Sequence, residues 1–518
     1  MNYCLFFLMM KRIFNYLIFF LIIGSLCFAQ SEKSSKKQTS KKDKDKKATT
    51  KNKSAKEIIK KNIIEDDTES LTDSAKTGLI FDYNRDLFLV DSSDEESLAG
   101  GLEWNIYPKD DNNNPNLPPK FRNWWYVKLE GLSTSSPNKI NIIGDGWQGK
   151  YYVVPVYSYD KINWFRFKPE EIFNTESTGS YFNYYLLKKF EKPTVWVARY
   201  YPYTFNRLKN LLKSLEKNPF VKIETIGKTP QNRPIVMLTI TDFSVDDKQK
   251  RRVWIHSRTH PSETGSSFVV EGLIKYLISE CNTCCSKVNL KKMIFNIVPM
   301  VNIDGVVAGN SRTAPITSKD LERQWIRSSD DKSILVDTVA TEVKILEKTL
   351  RELINLGPKF FIALNLHQTH APPNHRPFLF TNFSKKGEVN GEEGEKMFTK
   401  HLVFSKLISS EYCGDTVFVR PSYEPGQSME KKVFPESWWW ANFKDEVLAV
   451  TIENTIGING CFEEWVNYQD QIKLGEAIAL AIGKYHQYYI EKRWFRYEAP
   501  DWDLNELMKF FIDSSGDQ

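Results

Sequence analysis

The chain has 518 residues, 41% of them hydrophobic and 14% aromatic, so it can form two or three domains with sizeable cores. Its formal net charge is +6. Residues 1–30 contribute +2, and residues 31–61, with 13 lysines against four acidic residues, contribute +9, which leaves residues 62–518 at about −5. Because the main part of the chain is mildly acidic, nucleic-acid binding is disfavoured.

Residues 1–29 have the pattern of a signal peptide. Two basic residues precede an apolar stretch over residues 13–28, and Ala29 provides the small residue that signal peptidase prefers. The stretch is shorter than the ~20 residues of a membrane span. An uncleaved anchor and a lipid tether at Cys27 stay open as alternatives. The pattern predicts a secreted or periplasmic protein without a transmembrane span after cleavage.

Residues 30–77 are predicted to be a disordered, Lys-rich linker, because they contain too little apolar surface to offset chain entropy. The linker either holds the protein near an anionic surface or acts as a solvated spacer. Residues 501–518 are expected to be a C-terminal tail. The five cysteines beyond residue 29 are odd in number and do not have the pattern of a disulfide framework or of a zinc site.

Residues 78–198 are predicted to form an N-terminal antiparallel β-sandwich. Short aromatic and β-branched runs alternate there with turn residues, as at 124–129, 164–167 and 195–197. No catalytic constellation is visible among them. This domain is expected to precede the functional one.

Residues 199–500 are predicted to form an α/β domain with a doubly wound, mixed, mainly parallel sheet. Strand-like runs alternate with helical patterns in this part of the chain. The runs lie at 235–240, 253–256, 294–301, 360–366 and 448–452. A late helix with apolar residues from 474 to 489 is expected to pack on the sheet.

Acidic and histidine residues follow three of these predicted strands. His260 and Glu263 come after the run at 253–256, His367 after 360–366, and Glu453 after 448–452. Parallel strands bring their carboxyl ends to one edge, so these side chains can meet there. Two imidazoles and a carboxylate are the three protein ligands typical of catalytic zinc, and a fourth acidic group could accept a proton from water.

Many motifs in this order resemble the zinc metallocarboxypeptidases, most closely their cytosolic-carboxypeptidase-like branch. The resemblance covers roughly residues 120–490. Its motifs are Val154–Ser158, Tyr201–Thr204, Ile226–Lys228, Asn232–Arg233, His260–Glu263, Val298–Val306, Gly309–Arg312, Asp320–Trp325, Leu366–His367 and Thr451–Glu453.

The resemblance implies one Zn²⁺ per chain, held by His260, Glu263 and His367. It implies that Glu453 is the general base and then the acid that protonates the leaving amine. By the same resemblance, Arg312 stabilises the oxyanion and Arg323 grips the terminal carboxylate of the substrate. The motif that follows the strand at 294–301 makes Asn302 a further candidate substrate-binding residue.

One position departs from the family pattern. Glu322 precedes Arg323 where related enzymes usually have Asn, which donates to the substrate carboxylate. A carboxylate cannot donate and brings a like charge. Glu322 could pair with Arg323, meet a cationic group of the substrate, or turn away. The hypothesis is that it shifts specificity towards ends that carry an amine or lack a free carboxylate.

Several neighbouring residues are ambiguous. His256 has no acidic residue three positions later and is expected to pack in the core. His370 and His375 are expected to be exposed, although either could contact substrate, and Tyr423 has only a loose match to a mobile tyrosine of the family. The tryptophans at 438–440 could line the specificity pocket or pack in the core.

The expected function is that of a secreted zinc metallopeptidase of carboxypeptidase type, acting on peptide or protein C-termini. An amidase that trims cell-wall peptides at the same zinc site is one alternative. A catalytically inactive peptide- or glycan-binding protein is another, and the intact set of His260, Glu263, His367 and Glu453 argues against it.

Overall fold

The computed structural model describes part of the chain between residues 79 and 511, all of it in one compact unit, Ser74–Gln518. The described residues are 79–80, 87–89, 103–108, 110–115, 117–146, 154–175, 182–279, 288–369, 376–383, 391–412, 416–421, 429–457, 465–491 and 503–511. The predicted signal peptide, the whole predicted linker, every cysteine and residues 512–518 lie outside them. Among the described residues, no helix has the length and apolar character needed to cross a membrane.

Two five-stranded sheets form the N-terminal part. The first has the order β1-β4-β10-β6-β7 and the second β2-β3-β5-β9-β8. Their strands are β1 (Leu79–Ile80), β2 (Leu87–Leu89), β3 (Glu103–Ile106), β4 (Tyr126–Glu130), β5 (Asn138–Asp145), β6 (Val156–Ser158), β7 (Trp164–Arg166), β8 (Ile172–Asn174), β9 (Phe182–Lys188) and β10 (Thr194–Ala198).

The two sheets share one buried core, as the β-sandwich prediction requires. Trp104 and Ile140 of the second sheet belong to the same cluster as Val127 and Val197 of the first. Strand pairing is antiparallel except that β3 runs parallel to β5. This pair is the one exception to the predicted antiparallel sandwich in the described residues, because a pattern of alternating residues does not encode strand direction.

An eight-stranded mixed sheet forms the second part, and four of its seven pairings are parallel. Its order is β11-β12-β14-β13-β15-β18-β16-β17. The strands are β11 (Val221–Lys228), β12 (Pro234–Ile240), β13 (Arg251–Ser257), β14 (Met293–Val298), β15 (Phe360–Thr369), β16 (Phe378–Thr381), β17 (Phe418–Pro421) and β18 (Leu448–Thr455). Strands β13, β14 and β15 are buried almost throughout, which explains their continuous apolar runs.

Helices cover both faces of this sheet. They are α1 (Phe205–Leu215), α2 (Thr264–Ile278), α3 (Ile303–Ala308), α4 (Thr341–Asn355), α5 (Gly391–Ser409), α6 (Pro435–Phe443), α7 (Tyr468–Tyr485) and α8 (Leu504–Met508). Phe360 of β15 contacts Trp439 of α6, whereas Phe361 contacts Tyr485 of α7. Adjacent strand residues point to opposite faces, so α6 and α7 lie on opposite sides, as a doubly wound sheet requires.

Helices α2 and α7 approach each other closely enough for their backbones to touch. A Cβ atom added at Gly272 would lie 2.1 Å from the carbonyl oxygen of Ile472, and one at Gly475 would lie 2.0 Å from that of Val269. Both positions therefore require glycine. This contact matters for the site because α2 begins immediately after Glu263.

Candidate metal and substrate site

The carboxyl ends of three parallel strands place the candidate residues at one edge of the sheet. β13 pairs with β15, and β15 pairs with β18. His367 lies directly opposite Glu453 in the β15–β18 ladder. His260 and Glu263 lie in the turn between the end of β13 and the start of α2. The structure thus brings together the four residues that follow the three predicted strands.

Glu263 lies between the two histidines. Its Oε1 is 2.7 Å from His260 Nδ1, and its Oε2 is 2.8 Å from His367 Nδ1. One ligand atom from each of the three residues lies within 4.8 Å of the others, a spacing that fits a single ion. Both histidines are almost completely buried.

A second carboxylate contacts the far nitrogen of each imidazole. His260 Nε2 is 3.1 Å from Asp320 Oδ1, and His367 Nε2 is 3.1 Å from Glu322 Oε2. Carboxylates only accept, so these contacts place a proton on Nε2 and leave the Nδ1 lone pair for a metal. Each ring also faces Glu263, which requires either a second proton or a shared cation there. The donor set therefore fits a divalent ion.

The charge balance of the cluster is visible in its pKa values. Burial opposes a charged imidazole, but the negative charges of Glu263 and Glu322 raise the pKa of His367 well above its usual range. Burial likewise opposes ionisation of Asp320, but the charges of Arg312 and His260 hold its pKa well below the usual range. The cluster thus favours a positive charge beside Glu263, and it also favours the ionised form of Asp320.

Asp320 connects the histidine to both candidate arginines. Its Oδ2 accepts from Arg312 Nε at 2.8 Å and from Arg323 Nη1 at 2.7 Å. The Arg312 guanidinium also lies 4.0 Å from the centre of the Phe121 ring. Arg312 is mostly buried, whereas the side chain of Arg323 is 46% exposed. Arg312 therefore lies deeper in the protein than Arg323.

A cavity of about 370 Å³ opens onto these groups. Its lining includes the three metal-ligand candidates, both arginines, Glu322 and Glu453. Oε2 of Glu453 is buried and has no hydrogen-bond partner among the described residues. Burial raises the pKa of Glu453 to about 8, and the negative charge of Glu263 acts in the same direction. Glu453 is thus an acidic group with an uncommitted oxygen beside the cluster.

The structure does not pair Glu322 with Arg323, which was one of the three expected outcomes for this residue. Arg323 pairs with Asp320 instead. Glu322 is buried, accepts from Asn365 Nδ2 at 2.9 Å and faces His367. Glu322 is therefore not the ion-pair partner of the arginine at the cavity mouth.

Asn302 is not brought to the cavity. It is fully buried at the start of α3, where its Oδ1 accepts from the Gly305 N–H at 3.0 Å and its Nδ2 donates to the Thr259 carbonyl at 3.2 Å. Both ends of its amide are used by the backbone. The structure gives Asn302 the geometry of a helix cap rather than that of a substrate-binding residue.

The ambiguous neighbours separate clearly. His256 is buried, accepts from Trp254 Nε1 at 3.1 Å, and burial lowers its pKa to about 3, which confirms that it packs as a neutral residue. All three tryptophans at 438–440 are also buried in the core and do not line the cavity. His370, His375 and Tyr423 lie outside the described residues, so their predictions stay untested.

Two supporting residues were missed at the level of sequence. Arg258, which has a positive φ of 59°, is buried and donates to the carbonyls of Pro261 and Tyr203, so it braces the turn that carries His260. Asp111 accepts from the N–H groups of Ser311, Arg312 and Thr313 at 2.6–2.8 Å. Both contacts join distant or irregular segments, for which local patterns give no signal.

The arrangement of N, N and O donors at the carboxyl edge of a mixed sheet, beside a carboxylate and two arginines, is that of a metallopeptidase site. Residues 208–367 match the family of zinc carboxypeptidases (Peptidase_M14). This region of the chain is thus similar to the zinc carboxypeptidases, as the resemblance implied.

Relatives of known name agree with the branch that the motifs indicated. Cytosolic carboxypeptidase 6 of Homo sapiens is 29% identical over 319 residues, which cover 59% of this chain and 59% of the relative. Cytosolic carboxypeptidase 6 of Caenorhabditis elegans is 30% identical over 309 residues, or 57% of this chain and 64% of the relative. The chain thus spans about three fifths of the length of these two relatives.

Solved structures agree with the fold. A metallo-carboxypeptidase from Burkholderia cenocepacia has a TM-score of 0.61 at 19% identity, covering 79% of this chain and 99% of that structure. A metallo-carboxypeptidase from Pseudomonas aeruginosa has a TM-score of 0.58 at 18% identity, with coverages of 79% and 98%. These matches confirm the predicted carboxypeptidase-like α/β fold.

Proposed function

We propose that this chain is a zinc-dependent carboxypeptidase that hydrolyses the last peptide bond at a free C-terminus. The observation that carries the proposal is the meeting of His260, Glu263 and His367 on one cavity wall, with Glu453 directly opposite His367. These residues supply three metal donors and one additional carboxylate. That is the minimum set for metal-assisted hydrolysis with a general base.

Zinc bound to such donors supplies Lewis-acid polarisation of the substrate and lowers the pKa of water. In the proposed reaction, Glu453 Oε2 accepts a proton from the attacking water and then delivers it to the leaving amine. This oxygen has no hydrogen-bond partner among the described residues, which supports proton transfer at this atom.

The arginines have complementary proposed roles. Arg312 is held by Asp320 and Phe121 deep in the cavity, where its charge can stabilise the oxyanion that develops on the scissile carbonyl. Arg323 is half exposed at the mouth, where its guanidinium fork can bind a terminal carboxylate. The proposed direction of binding therefore runs from a free C-terminus at Arg323 towards the metal donors.

The proposed substrates are peptides or proteins with free C-termini, in keeping with the family that residues 208–367 match. None of the comparisons supports the cell-wall amidase alternative. The inactive-protein alternative has no support from the site, because every proposed metal and catalytic residue is in place. Metal analysis and digestion of peptides and muropeptides distinguish both alternatives from a carboxypeptidase.

Metal analysis tests the ligand assignment. We expect wild-type protein dialysed against trace zinc to hold about one ion per chain, and His367→Ala to lose most of it because one of three protein ligands is removed. His401→Ala is a matched control, since His401 is equally buried but lies away from the cavity. Full zinc occupancy in His367→Ala would place the third ligand elsewhere.

Digestion of a C-terminally randomised peptide library, with muropeptides alongside, tests the reaction. We expect loss of single C-terminal residues from the peptides and no change in the muropeptides. Zinc binding without hydrolysis of either substrate would favour the inactive-protein alternative. Cleavage of muropeptides alone would favour the amidase.

The cellular location is a separate proposal. The basic residues, the apolar stretch and Ala29 support export with cleavage after residue 29. The two relatives are named cytosolic carboxypeptidases, and by that name they are proteins of the cytosol rather than exported ones. The intact mass of the protein isolated from its own cells tests this proposal, because export with cleavage after residue 29 gives a chain that begins at Gln30.

A further inference from the structure

One wall of the cavity comes from the N-terminal part of the chain. Lys120, Phe121 and Asn123 lie in the segment that leads into β4. They line the same cavity as His260 and Arg312. This segment therefore belongs to the site, although it comes from the region that the sequence predicts to be a β-sandwich without catalytic residues.

The backbone of this wall is bound to the loop that carries Arg312. Ser311 Oγ accepts from the N–H of Asn123 at 3.1 Å and from the N–H of Trp124 at 3.0 Å. The guanidinium of Arg312, the next residue, lies 4.0 Å from the centre of the Phe121 ring. Asn123 is thus held close to the arginine that is proposed to stabilise the oxyanion.

The same segment is also held at the end of β5. The N–H of Gly146 donates to the carbonyl oxygen of Arg122 at 2.9 Å. A Cβ atom added at Gly146 would lie 2.1 Å from the carbonyl oxygen of Pro119, so the two backbones touch. A segment that is fixed on two sides presents its side chains to a ligand with little loss of conformational freedom.

Asn123 is a buried amide whose oxygen is unused. It is only 5% exposed, and its Oδ1 has no hydrogen-bond partner among the described residues. Buried polar side chains are nearly always hydrogen-bonded, because an unpaired oxygen loses its water without compensation. Since Asn123 lines the cavity, a ligand bound there can supply the missing donor, directly or after rotation of the amide.

A peptide substrate has the complementary groups. A side-chain amide can accept from a backbone N–H and donate to a backbone carbonyl. In the proposed reaction the scissile carbonyl lies at Arg312, and the nearest backbone donor upstream is the N–H of the residue that carries this carbonyl. Asn123 is bound to Ser311, the neighbour of Arg312, and is therefore well placed to meet that N–H.

We propose that Asn123 accepts a hydrogen bond from the backbone N–H of the penultimate residue of the substrate, the residue that carries the scissile carbonyl. This inference rests on the proposed carboxypeptidase function and adds a substrate-binding residue from the N-terminal part of the chain. It defines the substrate as a chain with a free N–H at this position. Proline has no N–H and does not fit there.

The test uses two blocked peptides that differ at one atom. In the second peptide an ester oxygen replaces the N–H of the penultimate residue, so the donor is lost without added bulk. We expect zinc-loaded wild-type protein to release the C-terminal residue from the N–H peptide with about tenfold higher kcat/KM, the scale of one hydrogen bond to a buried group. The difference should lie mainly in KM, because the bond forms on binding.

Variants of Asn123 test the acceptor. In Asn123→Leu, which keeps the size of the side chain, the ratio between the two peptides should fall to within about twofold. Asn123→Asp keeps an acceptor oxygen and should keep the preference for the N–H peptide. If Asn123→Leu fails to fold, Asn123→Ala serves, with the same loss of preference expected.

Asn141→Leu is the matched control and should keep the wild-type ratio. Asn141 lies on β5, bonds to Glu103 and is not among the described residues that line the cavity. Equal cleavage of both peptides by wild-type protein would overturn the proposal, and so would an unchanged ratio in folded Asn123→Leu. Loss of the preference in Asn382→Leu alone would assign the contact to Asn382 instead, another cavity-lining amide whose oxygen is unpaired among the described residues.

Calorimetric binding of the same two peptides separates this proposal from the proposed function. If neither peptide is hydrolysed, the carboxypeptidase assignment fails. Tighter binding of the N–H peptide that is lost in Asn123→Leu would still support the contact at Asn123. Hydrolysis of both peptides with equal kcat/KM and equal affinity would keep the carboxypeptidase and exclude the contact.

Discussion

In the proposed reaction, proton transfer depends on Glu453, which is not one of the proposed metal ligands. We predict that Glu453→Gln keeps wild-type zinc content but lowers kcat by about 10²–10⁴-fold, because the amide cannot accept the proton from water. Metal analysis of the purified protein measures its zinc content, and a stopped assay on the same sample measures kcat. Near-normal turnover would remove Glu453 from the mechanism.

Asp111 is a positioning residue for Arg312, since its carboxylate accepts from three successive N–H groups of the loop that carries this arginine. We predict that Asp111→Asn lowers stability by about 1–3 kcal/mol and lowers kcat more than it raises KM, because buried donors lose their acceptor. Asparagine keeps the size of the side chain and tolerates the positive φ of 55°.

Asp110→Asn is the control for this change, since Asp110 accepts only a local hydrogen bond from Asn113. Urea unfolding and steady-state kinetics of both variants provide the comparison. Equal effects in the two variants would show that Asp111 does not hold the loop in a way that catalysis requires.

Residues that directly follow apolar strands could be located from the sequence. His260, Glu263, His367 and Glu453 were found because parallel strands bring their carboxyl ends together. Glu436 was not, because it reaches the cavity from α6 through contacts with Asn365 and Thr451 that no local spacing encodes. Asn302 was misleading because its motif is used to cap a helix.

The close contact between helices α2 and α7 should be weakened by the single methyl group that an alanine would add at the contact. We predict that Gly475→Ala lowers the free energy of unfolding by about 1–3 kcal/mol, because its Cβ would lie 2.0 Å from the Val269 carbonyl oxygen. Glu476→Ala, at the next position of the same helix, should have little effect. A Gly475→Ala protein as stable as wild type would contradict the close contact.

Helix α4 contains an acid whose burial predicts a pH-dependent stability. Glu342 is fully buried, and neither of its oxygens has a partner outside its own residue in the described part of the chain. Burial raises its pKa from 4.5 to about 7, with Asp304 adding to the shift and Lys319 opposing it. The folded state therefore binds a proton that the unfolded state has released between these two pH values.

Stability from neutral Glu342 is thus complete below pH 4.5 and is lost as the pH rises through about 7. We predict that Glu342→Gln stabilises the protein at pH 8, by up to about 3 kcal/mol, and much less at pH 5. Urea unfolding at both pH values measures the difference, with exposed Glu352→Gln on the same helix as control. An equal gain at both pH values would exclude this cause.

Strand positions were predictable because central strands are buried on both faces and read as apolar runs. The predicted runs at 235–240, 253–256, 360–366 and 448–452 all lie within observed strands, and each observed strand extends one to three residues further at an end. The parallel pairing of β3 with β5 was not predictable. Strand direction depends on the path of the connecting chain, not on side-chain alternation.

The described residues form the two parts of the fold that the sequence predicts, a β-sandwich with its own core and an α/β part with a mixed sheet. The sandwich core draws on strands β3, β4, β5, β8, β9 and β10, whereas the larger core surrounds the eight-stranded sheet. Residues around 124–126 contribute to both cores. The domain limits at 198 and 500 stay predictions, as do the signal peptide and the linker, which lie outside the described residues.

The proposed carboxypeptidase activity is tested most directly by measuring the product mass from one peptide in two forms, one with a free and one with an amidated C-terminus. We predict that zinc-loaded wild-type protein removes one C-terminal residue from the free acid and leaves the amide nearly intact, because the proposed contact with Arg323 needs a carboxylate. We expect no product after chelation or in Glu453→Gln. Cleavage within the peptide, or equal cleavage of both forms, would contradict the proposed carboxypeptidase function.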